Sequence, residues 1–256
     1  MSIKSKSGSH NTRHRNLLIV SVLIIVIIFS FTAYLFVANN SSYGVVHVKS
    51  EEELVKAINN VKNYTSAIII LDNDIDLTTT IIIPPHKNIT LTSNGDNAFR
   101  LVGPYHRITN LLIAVATLHV ETDGILILDG IVVTHPSGSE GRAVYVDWGG
   151  QLFMYSGEIS GNAATGEGGV CVGDGYGGGV SNGGTFIMYG GTISGNKAQN
   201  GGGVSNGGTF IMYGGEIFGN TASYGGGVYN GGDGIFNRSG GEIYGNTADN
   251  GENVYP

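Results

Sequence analysis

The chain has 256 residues, room for one or two domains, and 43 of them are glycine. The glycines follow no Gly-X-Y triplet, which excludes collagen, and the single cysteine, Cys171, excludes an internal disulfide framework. Charged residues make up 13% of the chain and the formal net charge is −7, which argues against nucleic acid as a partner.

Residues 1–16 are polar and basic, with Lys4, Lys6, Arg13 and Arg15 and no acid. Leu17 to Val37 then gives 21 residues without a charge, rich in Ile, Leu, Val and Phe. That length spans a bilayer core as a helix. A cleavable secretory signal has a shorter apolar region and a small-residue cleavage site, which Phe36-Val37-Ala38 matches poorly. The segment is expected to be an uncleaved signal anchor of a single-pass membrane protein. Its basic flank then stays in the cytoplasm and the C-terminal body lies outside. Secretion after signal cleavage is the alternative. The external part holds nine basic against 20 acidic residues, so an acidic polysaccharide would be repelled unless calcium bridged it.

Residues 38–48 read as a linker. Asn39-Asn40-Ser41-Ser42, Asn63-Tyr64-Thr65, Asn88-Ile89-Thr90 and Asn237-Arg238-Ser239 carry the glycosylation tripeptide. A capping segment is expected over 49–65, with a helix from Ser50 to Val61. Ser50 followed by Glu53 forms a capping box, and Leu54, Ile58 and Val61 share one face. Such a helix suits a solenoid, whose first coil must be covered.

From Ser66 onward the sequence reads as β. Runs at Ala67–Leu71, Ile75–Ile83, Ile89–Thr92, Leu111–Val120, Gly124–Leu128, Ile131–Thr134, Ala143–Val146 and Leu152–Tyr155 are separated by turn residues. Gly166 to Tyr176 reads as an excursion, and Cys171 within it as a small core residue beside Val170 and Val172. From Arg142 a repeat emerges. Gly177–Asn200 and Gly201–Tyr224 are 24 residues each and nearly identical, while Gly225–Asn250 is a looser unit of 26. Three short strands and three glycine turns per unit predict a parallel β-helix of roughly eight coils, stacked ~4.8 Å apart.

Stacking sets equivalent residues in columns. Phe186 with Phe210, Met188 with Met212, Val180 with Val204 and Val228, and Ile159 with Ile193, Ile217 and Ile243 are expected in the core. Asn182, Asn206 and Asn230 form one amide ladder, and Asn162, Asn196, Asn220 and Asn246 another, both read as stability devices. Alternation then sends Phe153, Tyr155, Ile187, Tyr189, Ile211 and Tyr213 outward as an exposed ladder. This ladder is a candidate contact surface for a glycan or a protein. The plain alternative is that its members only stack on each other and stiffen the sheet.

Ser50-Glu51-Glu52-Glu53-Leu54, Ile68-Ile69-Ile70-Leu71 and Asp74-Ile75-Asp76-Leu77 resemble the start of the pectate-lyase-like right-handed β-helix. The units of the form Gly-Gly-Gly-Val-Ser-Asn-Gly-Gly-Thr-Phe-Ile-Met-Tyr-Gly-Gly-Thr-Ile-Ser-Gly-Asn resemble repeats of adhesin-like surface proteins of bacteria and methanogenic archaea, and those of polymorphic outer-membrane proteins. The resemblance covers most of the chain after Ser50. It implies an all-β, single-stranded right-handed parallel β-helix with an N-terminal capping helix. It implies no one function, because the fold hosts lyases, hydrolases, adhesins and passive stalks.

Lyases of that fold use clustered aspartates for calcium and a basic residue as proton acceptor. Asp72, Asp74 and Asp76 alternate at one strand start and are a candidate calcium site, the alternative being a polar turn. Glu158, Glu216 and Glu242 recur at one repeat position, with Thr192 between them, and are read as solvent-facing. Arg100, Arg107 and Arg142 are read as one possible face. His86, His106, His119 and His135 show no metal-ligand spacing, and Gly231-Gly232-Asp233-Gly234 resembles a calcium-binding turn that occurs once. No catalytic residue is assigned, and no cofactor is expected apart from calcium. Gly251 to Pro256 reads as the start of a further coil, open to end-to-end self-association. The leading expectation is a membrane-anchored surface protein that binds without catalysis. A polysaccharide lyase or glycoside hydrolase is the first alternative, and a structural spacer or a fragment of a longer family member the second.

Overall fold

The structure is a computed structural model that describes residues 44–95, 98–105, 115–165 and 177–256. The basic tail, the apolar segment Leu17–Val37, His106, Arg107 and the excursion with Cys171 lie outside the described residues. Among the described residues, no helix is long and apolar enough to cross a membrane.

The strands stack into four sheets, and every strand pairing within them is parallel. The first sheet has eight strands: Gly44–Val48, Thr65–Leu71, Lys87–Ser93, Ile125–Asp129, Gln151–Met154, Thr185–Met188, Thr209–Met212 and Ile235–Arg238. The second has seven, running from Ile81–Ile83 through Arg142–Val146 and Val180–Asn182 to Val254–Tyr255. The third also has seven, from Ile75–Asp76 to Glu242–Tyr244, and the fourth has four, from Ala163–Ala164 to Thr247–Asn250. The chain passes from the first sheet to the third, then to the fourth where it exists, then to the second and back to the first. This winding is compatible with a parallel β-helix.

Register explains the core. Alternate residues of each strand turn inward, so one interior column of the first sheet runs Ile69, Leu91, Leu128, Met154, Met188, Met212. The column beside it runs Ala67, Ile89, Leu126, Leu152, Phe186, Phe210, Phe236. The third sheet contributes Ile75, Leu101, Val133, Ile159, Ile193 and Ile217. All but Phe236 are buried. The phenyl rings of Phe186, Phe210 and Phe236 stack face to face, with centroids 4.7 and 5.0 Å apart.

Strand structure begins earlier than the sequence suggests. Gly44–Val48, expected within a linker, pairs along its whole length with Ala67–Leu71. Only Val48 of this strand is buried, so the run carries no alternation that would reveal it. The helix α1, Glu51–Asn60, therefore connects the first two strands of the first sheet in the chain. Ser50 caps it by accepting from the Glu53 amide, while Glu53 accepts from the amide of Lys49. Leu54, Ala57 and Ile58 are buried in the core, each large side chain contributing about 1.5–3 kcal/mol. At the far end Lys87 donates its ammonium protons to the carbonyls of Ile58 and Asn59, both at 2.9 Å, which satisfies groups that a helix leaves open.

The Phe210 ring is sandwiched between two others and is fully buried. Phe210→Ala is expected to lower stability by about 3–5 kcal/mol in urea unfolding. Phe236→Ala, at a partly exposed rung, should cost less than Phe210→Ala.

Candidate functional site

Where strands of the first sheet end, each coil turns a corner through Tyr155, Tyr189 or Tyr213. The glycines next to them explain why these rings can meet. A Cβ on Gly190 would lie 2.5 Å from the carbonyl oxygen of Tyr155, and one on Gly214 would lie 2.3 Å from that of Tyr189. Gly191 and Gly215 also hold φ of +83° and +85°. The corner thus closes tightly, and the tyrosine rings stack at 4.8 and 5.3 Å with interplanar angles of 13° and 14°. Tyr155 is 48% and Tyr213 39% exposed. Burial raises the pKa of Tyr189, reinforced by the phenols on either side, and burial with the nearby Asp129 raises that of Tyr155.

The rest of the expected ladder differs. Phe153, Ile187 and Ile211 do form a column, but each is half-buried. Neighbours in this column cover one another, so the exposed aromatic part of the ladder reduces to the tyrosines. The last rung breaks at Asn237, opposite Ile211.

Two buried asparagine columns run through the repeats. In one, Asn162 donates to Asn196 at 2.8 Å, Asn196 to Asn220 at 3.0 Å and Asn220 to Asn246 at 3.0 Å, side chain to side chain. In the other, Asn182 donates to Asn206 and Asn206 to Asn230, both at 2.7 Å. The ends of the first column are closed by two residues that the repeat pattern does not assign to it. His135 Nδ1 lies 3.0 Å from Asn162 Oδ1, and Asn253 Oδ1 accepts from the Asn246 amide at 3.1 Å. Asn253 stands opposite Gly227, at a repeat position that Gly179 and Gly203 hold in the two units before. Aligning Gly251-Glu252-Asn253-Val254 with Gly225-Gly226-Gly227-Val228 would have found it.

Asp72, Asp74 and Asp76 do not gather. They span the corner between Leu71 and the strand Ile75–Asp76, so they do not alternate on one face as expected. Asp72 accepts from Asn94 and pairs with His47 at 2.8 Å, and these contacts, the His47 bond first, lower its pKa. Asp74 accepts from the Arg100 amide. Among the described residues no group of three or more His, Cys, Asp or Glu could hold a metal ion. Arg100 and Arg142 do not share a face, since Arg100 starts a strand of the third sheet and Arg142 one of the second. Arg142 instead lies over the Tyr145 ring at 5.1 Å and donates to Ser181.

Glu158, Thr192, Glu216 and Glu242 form one outward column, and the Tyr244 hydroxyl donates to Glu216 at 2.7 Å. Glu51 is a further anchored carboxylate. Burial opposes its ionisation, but donors from Thr78 and Thr79 outweigh that and hold its pKa low. His119 Nε2 pairs with Asp147 at 3.0 Å, a contact that sequence spacing does not disclose.

Compared with known family models, with curated proteins and with solved structures, the chain matches none.

Asn220 is fully buried and sits in the middle of its column, accepting from both nitrogens of Asn196. Asn220→Ala strands those donors and should cost more than about 2 kcal/mol in chemical unfolding. The raised phenol pKa of Tyr189 gives a second expectation. Its contribution to stability is complete below the free-phenol value of about 10 and is lost as pH rises from there through the folded value. Alkaline unfolding series should therefore show a steeper loss above pH about 10 in the native chain than in Tyr189→Phe.

Proposed function

We propose that this chain is a membrane-anchored surface protein held by Leu17–Val37. Its body would be a right-handed parallel β-helix of the pectate-lyase-like type, displayed outside the cell for adhesive contact and not for catalysis. The adhesin-like and polymorphic outer-membrane repeats that its glycine units resemble support this reading, as does the general right-handedness of parallel crossovers.

The observation that carries it is the tyrosine column Tyr155–Tyr189–Tyr213. The inner faces of these rings cover one another, so the column presents edges and hydroxyl groups at the coil repeat. A flat, regularly spaced aromatic edge suits contact with a protein surface. A sugar ring would need an open face, which the stack largely removes.

The double variant Tyr189→Ser, Tyr213→Ser is expected to lose retention on cell surfaces while its circular dichroism stays native. Unchanged retention rejects the tyrosine column as the contact surface. Incubating the full chain with a panel of polysaccharides, with and without calcium, should release no new chain ends. New ends would replace this reading with an enzymatic one.

A further inference from the structure

Two aromatic side chains are largely exposed, and they share one edge of the first sheet. Tyr64 is 81% exposed, and Trp148, the one tryptophan of the chain, is 82% exposed. Each lies in a turn leading into a first-sheet strand, Thr65–Leu71 for Tyr64 and Gln151–Met154 for Trp148. The turns between them stack through the backbone. The Tyr64 amide donates to the His86 carbonyl, His86 to Asp123 at 3.0 Å, and Asp123 to Gly149 at 3.3 Å. Tyr64 and the Trp148 turn are therefore three coil steps apart, ~14 Å.

This edge also concentrates backbone strain. Among the described residues Tyr64, His86 and Asp123 are the non-glycine residues with positive φ, at 62°, 61° and 62°. The fourth turn of the column uses Gly149, at φ 82°, as backbone economy alone would require. Three side chains are kept where glycine would sit more easily, and such outliers collect at ligand sites.

The groups around them are polar. The Tyr64 ring stacks on His86 at 4.7 Å, which leaves its other face open. Beside Trp148, Asp147 and His119 are paired at 3.0 Å, and both remain partly accessible. The next turn in the column, Gly183-Gly184, brings no side chain against Trp148.

We infer that the corner from Tyr64 to Trp148 is a binding site for a linear, neutral polysaccharide. Open aromatic faces take the apolar faces of sugar rings, and the carboxylates and imidazoles between them take the hydroxyl edges. The separation of the two rings calls for a chain and not a single sugar. Asp123 and Asp147 oppose phosphate and uronate ligands. A protein hot spot would need a surrounding rim that excludes water, and the flanks here are charged and exposed. This site lies at the start of the first-sheet strands, whereas the tyrosine column lies at their ends, so the two readings stand or fall separately.

The test uses the full chain in a detergent without a sugar headgroup. Linear oligosaccharides of glucose, mannose and N-acetylglucosamine are titrated while the emission of Trp148 is followed. A saturable shift with at least one of them is expected, along with retardation in gels containing the matching polymer. Trp148→Ala should weaken that retardation about tenfold, Trp148→Phe should restore most of it, and Tyr64→Ala should weaken it by a smaller factor. The Tyr189→Ser, Tyr213→Ser variant should respond as the native chain does. Silence with all three sugars, retardation by polygalacturonate instead, or retardation that survives Trp148→Ala would each overturn the assignment.

Discussion

In this chain the backbone of one coil finds its hydrogen-bond partners in the coils on either side, so each position must be compatible with the same position about 4.8 Å away. For an apolar interior that demand is mild. Leucine follows isoleucine and methionine follows leucine without penalty, as in the column Ile69, Leu91, Leu128, Met154. For a buried amide it is strict. An asparagine inside the solenoid must find a donor for its oxygen and acceptors for its nitrogen, and here the amides of neighbouring coils and nearby backbone carbonyls supply them.

That strictness is felt most at the ends of the two amide columns. The longer column closes at His135 on one side and at Asn253 on the other, both from within the chain. Asn253 reaches the amide of Asn246 from a position held by Gly179, Gly203 and Gly227 in the preceding units, so its side chain supplies the oxygen that Asn246 supplies to Asn220. The shorter column has no such closure at its first rung. Asn182 follows Val146 in register, and a valine offers no donor, so Asn182 Oδ1 is buried without a partner. Moving the first asparagine up or down one coil would only move the bare oxygen. The oxygen end of such a column needs a partner from outside it, and His135 stands at that place in the longer one.

The same constraint decides what the sequence discloses. The repeat copies whole coils, so interior columns and asparagine ladders can be read by aligning Gly177–Asn200 with Gly201–Tyr224. Features outside the copied register are silent. Gly44–Val48 has one buried residue and shows no alternation. Glu51 finds Thr78 and Thr79, and Lys87 finds the end of α1, across separations of 27 to 29 residues with no periodic pattern to suggest them. Asp72, Asp74 and Asp76 look like a cluster in the sequence because their spacing matches a strand period, but they span a corner, where alternation does not hold. Outward alternation likewise identifies which side Phe153 and Ile187 face but not that column neighbours half cover them.

Stacking also separates the two edges of the first sheet. At the ends of its strands the corner repeats as tyrosine followed by glycine or serine, so like meets like and the rings spend their faces on each other. At the starts of its strands the turns differ from coil to coil: Tyr64, His86, Asp123 and Gly149 occupy one left-handed position. Unlike residues in this column form no uniform ladder: Tyr64 stacks on His86, and His86 lies 4.0 Å from the Asp123 carboxylate. A copied edge thus becomes a uniform surface, whereas an uncopied edge keeps individual groups in fixed places on a rigid spacing. Selective recognition needs individual polar and aromatic groups held at fixed places, which only the second kind of edge supplies. That is the physical reason to look for a specific ligand beside Trp148 and for broader contact along the tyrosines.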